Sequence, residues 1–133
     1  MKIIECPRDA IQGIENFIPT EKKIKYLNSI LNLGFDTIDF GSFVSAKAIP
    51  QLRDTAEVLA GLDLNEGSSK LLAIIANLRG ATDACHFEEI NYLGFPFSIS
   101  ETFQQRNTHT SIAESLVNLT AIQNLASKNK KAL

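Results

Sequence analysis

Directly after the apolar run Lys2-Ile3-Ile4-Glu5 comes Cys6-Pro7-Arg8-Asp9-Ala10-Ile11-Gln12. An arginine beside an aspartate at the C-terminal end of a first strand can do paired work. The carboxylate can hold a divalent metal, and the guanidinium can neutralise an oxyanion next to it. The same two residues also read as an ordinary loop salt bridge, worth about 0–1 kcal/mol when exposed. On their own they leave both readings open.

What must position them is legible as alternation. Lys2 to Glu5 reads as a first strand. A helix then opens at Thr20 as N-cap, carries Ile24, Leu27, Ile30 and Leu31 on one face, and stops at Gly34. Phe35 to Phe40 is the second strand, followed by a helix from Pro50 to Leu62 with Val58, Leu59 and Leu62 inward. Lys70 to Ala76 is nearly all apolar, as in a parallel strand covered on both faces. A helix over Leu78 to Phe87 leads to a fourth strand at either Ile90–Leu93 or Phe95–Ile99. Ser111-Ile112-Ala113-Glu114 is a capping-box start for a last helix bearing Leu116, Val117, Leu119, Ile122 and Leu125.

Repeated strand-helix units imply right-handed crossovers and a parallel α/β sheet. The 133 residues are too few to close an eight-stranded barrel, which takes about 250, so the pattern by itself leans to an open sheet. Ligands in such folds bind at the C-terminal ends of the strands. Four clusters fall there: Arg8-Asp9; Asp39 with Gly41-Ser42-Phe43; Asn77; and Ser98 to Asn107. Asp39 is the most suggestive, because an unpaired buried carboxylate is costly. Asn77 reads as a helix cap, Cys6 and Cys85 as reduced packing residues, and His109 as a solvated loop residue.

Composition narrows the partners. A net charge of -2 gives no electrostatic reason to expect nucleic acid or an anionic membrane. No apolar run approaches the roughly 20 residues of a membrane span. The N-terminus lacks the pattern of a secretory signal, so a cytoplasmic location is expected. The cysteines and histidines, two of each, show no zinc spacing.

Taken in order, these clusters resemble the N-terminal half of hydroxymethylglutaryl-CoA lyase, a metal-dependent (β/α)₈-barrel enzyme. The resemblance rests on Cys6 to Gln12; Pro19-Thr20 with Lys22 or Lys23 and Ile24; Gly34 to Asp39; Ser42 to Gln51; Asn77-Leu78-Arg79-Gly80; Ser100-Glu101-Thr102-Phe103; Asn107; and Ser111 to Ser115. It covers nearly the whole chain, and Ser42-Phe43-Val44-Ser45 with Pro50-Gln51 is its most specific part. It implies that residues 1–133 form the first half of a TIM barrel, one partial lyase-like (pyruvate carboxyltransferase-like) domain cut after about four units. It also implies cleavage of 3-hydroxy-3-methylglutaryl-CoA to acetyl-CoA and acetoacetate. Asp9 would be a ligand of Mg²⁺ or Mn²⁺, Arg8 would stabilise the enolate, and Asp39 would support Arg8. Gln12, Ser42 and Asn107 would line an acyl-CoA pocket. The full-length parent would be a homo-oligomer.

The chain departs from the family at Cys6 and Ala10, where glycines are usual, at Asp39, where a glutamate is common, and at Glu15, where many relatives carry lysine. It contains no His-x-His, the strand that completes the family's metal shell from the second half-barrel. The fragment alone is therefore expected to be inactive. Two other readings accompany the lyase: an acyl-CoA-dependent Claisen-condensing enzyme related to isopropylmalate synthase, and a non-catalytic half-barrel that binds a partner by its open edges.

Overall fold

The computed structural model describes residues 1–65 and 68–133. Its frame is four parallel strands: β1 (Ile4–Glu5), β2 (Thr37–Ser42), β3 (Lys70–Ile74) and β4 (Ile90–Gly94), ordered β1-β2-β3-β4. Each strand neighbours the next in sequence, so the winding never reverses. With right-handed crossovers this places the helices on one face of an open sheet, as in a barrel and unlike a doubly wound sheet.

That face carries the core. Ile38 and Phe40 of β2, Leu71 and Ala73 of β3, and Ile90 and Leu93 of β4 are buried against the helices. Leu27, Ile30 and Leu31 come from α2 (Thr20–Leu31), Val58 and Leu59 from α3 (Thr55–Ala60), Ala81 and Ala84 from α4 (Leu78–Cys85), and Ile122 and Ala126 from α6 (Ile112–Lys128). The opposite face holds a row set by register, Asp39 beside Leu72 beside Tyr92.

Two short helices stand where the sequence shows no periodicity. α1 (Pro7–Gln12) opens with Pro7, whose fixed φ and missing N–H suit the first turn. α5 (Glu101–Thr108) starts at Ser100, whose side chain accepts from the Phe103 N–H. Each buries a single residue, Pro7 in α1 and Gln104 in α5, so neither carries an apolar face to be read.

Other boundaries move. Thr20 is the first residue of α2 rather than its cap, which is Pro19, and the Thr20 hydroxyl donates to Asp54 at 2.8 Å. α2 ends at Leu31 with Asn32 as its C-cap, and Gly34 follows with φ +88°, a left-handed turn open to glycine. β2 lies two residues later than expected, and Pro50–Leu52 is a separate 3-10 turn before α3. The fourth strand is Ile90–Gly94, which decides between the two candidates. Asn77 does cap α4, accepting from the Gly80 N–H at 2.9 Å, and the Ser111–Glu114 capping box is complete. Beyond α6, Ala132 pairs in parallel with Tyr92 on the outer edge of β4, in the position of a fifth strand.

β2 is irregular just after Asp39, where the pairing with β3 shifts between Asp39 and Gly41. A Cβ on Gly41 would lie 2.6 Å from Thr55 Cγ2, so α3 packs on β2 only because residue 41 has no side chain.

Candidate active site

The C-terminal end of β1 runs into α1, which places Arg8 and Asp9 at the mouth of the sheet. Asp39, on the sheet face away from the helices, lies beneath them. The Arg8 guanidinium donates from Nε to both Asp39 oxygens at 3.2 and 3.0 Å, and from Nη2 to Oδ2 at 2.6 Å. Its remaining arm, Nη1, donates to Asp9 Oδ1 at 3.1 Å and to Gln12 Oε1 at 2.9 Å. Gln12 closes the ring by donating from Nε2 to Asp9 Oδ1 at 3.2 Å.

Burial differs sharply across the ring. The side chains of Asp39 and Arg8 are 5% and 14% exposed, whereas that of Asp9 is 66% exposed. Burial pushes the Asp39 carboxyl above its ordinary range, and the hydrogen bonds and charge of Arg8 pull against that rise. The result is a cation fixed in one orientation by a carboxylate behind it, with a solvated carboxylate in front. A charge held this way does not have to reorganise when an oxyanion forms beside it.

Arg8, Asp9, Gln12 and Asn107 line one cleft of about 570 Å³, with Ile74, Phe95 and Pro96 among its apolar walls. Asp39 supports this cleft from below. Ser42 is elsewhere. It is buried at the end of β2, donates to the Ile74 carbonyl at 3.3 Å, and accepts from the Val44 N–H at 3.2 Å. It lines a neighbouring hollow with Arg79 and Asp83.

Asp9 accepts both of its hydrogen bonds on Oδ1, which leaves Oδ2 without a side-chain donor among the described residues. That suits one position in the oxygen shell of a hard divalent cation. Among the described residues no group of three or more His, Cys, Asp or Glu side chains is arranged to hold a metal. Among the described residues the cleft therefore presents one free carboxylate oxygen, not a shell.

Cys6 is exposed beside this ring rather than packed, and Cys85 is half-buried. His109 is an exposed residue in left-handed conformation at the end of α5. The sequence reading missed a second, fully buried polar network. Lys23 Nζ donates to Asp54 Oδ1 at 2.6 Å and to the Gln51 carbonyl, and lies 4.2 Å from the Phe17 ring centre. The signal was available: Lys23 stands on the apolar stripe of α2, four residues before Leu27 and eight before Leu31.

No family model matches the chain. Individual proteins do. It is 37% identical over 125 residues to the mitochondrial hydroxymethylglutaryl-CoA lyase of Macaca fascicularis, covering 92% of this chain and 37% of the relative. It is 34% identical over 119 residues to the cytoplasmic 3-hydroxy-3-methylglutaryl-CoA lyase of Rattus norvegicus, covering 87% and 34%. The chain is a homologue of the hydroxymethylglutaryl-CoA lyases. Its fold agrees: it superposes on the Acinetobacter baumannii HMG-CoA lyase, solved with coenzyme A and 3-methylmalate, at a TM-score of 0.91 and 34% identity. That match covers 99% of this chain and 43% of the solved one. The four strand-helix units thus match the first half of a lyase TIM barrel, with the sheet open. The chain spans less than half the length of the curated lyases it matches. Among the described residues no helix is long and apolar enough to cross a membrane.

Proposed function

We propose that this chain is the N-terminal half of a divalent-metal-dependent lyase that cleaves 3-hydroxy-3-methylglutaryl-CoA to acetyl-CoA and acetoacetate, and that it is inactive by itself. The observation that carries this is the clamped guanidinium of Arg8 beside the solvated carboxylate of Asp9 at the mouth of a lyase-like half-barrel.

The reaction needs the proton of the 3-hydroxyl removed, the C2–C3 bond broken, and the resulting enolate of acetyl-CoA held until it is protonated. Arg8 meets the third need. Its charge is fixed by Asp39 before the enolate oxygen forms, so it favours the transition state more than the ground state. Asp9 is the residue that would hold Mg²⁺ or Mn²⁺, which supplies Lewis-acid polarisation of substrate oxygens when bound. Gln12 and Asn107 line the cleft on either side and are assigned to orient the acyl-CoA substrate. Ser42, at the buried end of β2, lines the neighbouring hollow and is given no contact with substrate in this cleft. The whole protein is assigned to the cytoplasm, as a homo-oligomer.

Joining residues 1–133 to the remaining half-barrel of a relative tests the reading. With Mg²⁺ or Mn²⁺ the joined protein is expected to release acetoacetate from hydroxymethylglutaryl-CoA, and the 133-residue chain is not. Acetoacetate from the short chain would refute its assigned inactivity. Condensation of acetyl-CoA with a 2-oxo acid by the joined protein would replace the lyase with the condensing reaction.

A further inference from the structure

α1 has six residues, too few to hold a direction by its own hydrogen bonds. It is fixed from outside at both ends. At the first end Arg8 is gripped by Asp39. At the other, the chain leaves α1 through residues 14–18, and a single side chain takes hold of that segment. Gln51, 3% exposed, donates from Nε2 to the carbonyls of Ile14 at 2.8 Å and Asn16 at 3.0 Å, and its Oε1 accepts from the Ile18 N–H at 2.8 Å. Both N–H groups of the amide are thereby used. Gln51 is itself anchored, because its carbonyl accepts from Lys23 Nζ, which Asp54 holds. Phe17, within the same segment, lies between Lys23 and Arg53, their cationic groups 4.2 and 3.8 Å from its ring centre.

We propose that Gln51 is a positioning residue for Arg8, Asp9 and Gln12. By pinning the exit of α1 to the start of the α3 region, it fixes the direction in which α1 presents the Asp9 carboxylate to the cleft. Among the described residues the Asp9 side chain makes two hydrogen bonds, both to residues of α1. A shift of the Ile14–Ile18 segment therefore reaches it along α1, opposed only at the other end by the grip of Asp39 on Arg8. This inference rests on the reading of those three residues as the reacting group.

The test uses the 133-residue chain and Gln51→Met, which keeps the volume of the buried side chain and removes its three hydrogen bonds. Two quantities are measured: amide hydrogen exchange along the chain, and affinity for Mn²⁺ alone by water-proton relaxation, counting only the binding that Asp9→Asn abolishes. Exchange is expected to speed up in α1 while β2 and β3 keep their protection. Mn²⁺ affinity is expected to fall on the order of tenfold, the scale on which supporting residues affect a ligand. Unchanged Mn²⁺ affinity in the folded variant overturns the proposal, since a purely structural Gln51 would leave it alone. If Gln51→Met does not fold, Gln51→Glu, which keeps only the acceptor to Ile18, is judged by the same two readings. If the wild-type chain binds Mn²⁺ no better than Asp9→Asn, one carboxylate without the rest of a shell is too weak to be read by affinity in this chain. The Arg8 Nε–H proton signal then decides: faster exchange in Gln51→Met supports positioning, and an unchanged signal removes it.

Discussion

Arg8 and Asp39 lie 31 residues apart in sequence and meet through three hydrogen bonds of 2.6 to 3.2 Å. The pair ties α1 to the centre of β2 and leaves only one arm of the guanidinium, Nη1, for Asp9 and Gln12. Its consequences can be separated by substitution.

Asp39→Ala leaves Arg8 largely buried without its carboxylate. Removing one member of a buried pair costs about 3–5 kcal/mol, and the 14% exposure of Arg8 places this case near the lower figure. Asp39→Asn, whose amide oxygen still accepts from Arg8, should lose less. Urea unfolding midpoints compare the two, and equal losses would mean that the charge of Asp39, not its acceptor oxygen, holds Arg8.

The Lys23–Asp54 pair predicts non-additivity. Lys23→Met strands Asp54, which then keeps only the Thr20 hydroxyl, and Asp54→Leu strands Lys23. Each single change should cost about 3 kcal/mol, and the double change clearly less than the sum, because an apolar pair of similar volume fills the site. A double-mutant cycle by chemical denaturation measures the coupling. Strict additivity would show that the two charges act independently.

Gly41→Ala forces a Cβ to within 2.6 Å of Thr55 Cγ2. Overpacking of this kind costs about 1–3 kcal/mol. Adding Thr55→Ser removes that methyl and should restore part of the loss, read from thermal unfolding. No recovery would place the strain in the backbone instead.

Glu114 carries a pH prediction. Its carboxylate accepts from the Ser111 N–H and hydroxyl, both at 2.8 Å, and these bonds hold its pKa below the ordinary 4.5. A depressed carboxylate contributes stability that is present above the unfolded value and is lost as pH falls through the folded one. Acidification below 4.5 should therefore fray the first turn of α6, and Glu114→Gln should flatten that dependence. Amide exchange at residues 112–115 against pH provides the measurement. A wild-type profile identical to that of the variant would remove the capping role of the carboxylate.

How much of this was legible beforehand follows from the range of each interaction. Local chemistry gave the long elements: the apolar run of β3, the stripe of α2, the Asn77 cap and the Ser111–Glu114 box all depend on neighbours within a turn or two. The order of the candidate residues along the chain, from Arg8-Asp9 to Asn107, was likewise readable. What the sequence could not contain was proximity. The grip of Asp39 on Arg8, the separation of Ser42 from the cleft, and the clamp of Gln51 on Ile14–Ile18 all join residues 31 or more apart, or depend on the register shift after Asp39. α1 and α5 were invisible because each buries a single residue, Pro7 and Gln104, and so carries no apolar stripe, whereas the equally short α3 and α4 do. Sequence alone determined which residues carry charge and which strands and helices carry them. Tertiary structure alone decided which charges meet, because burial and hydrogen-bond geometry exist only once the strands have paired.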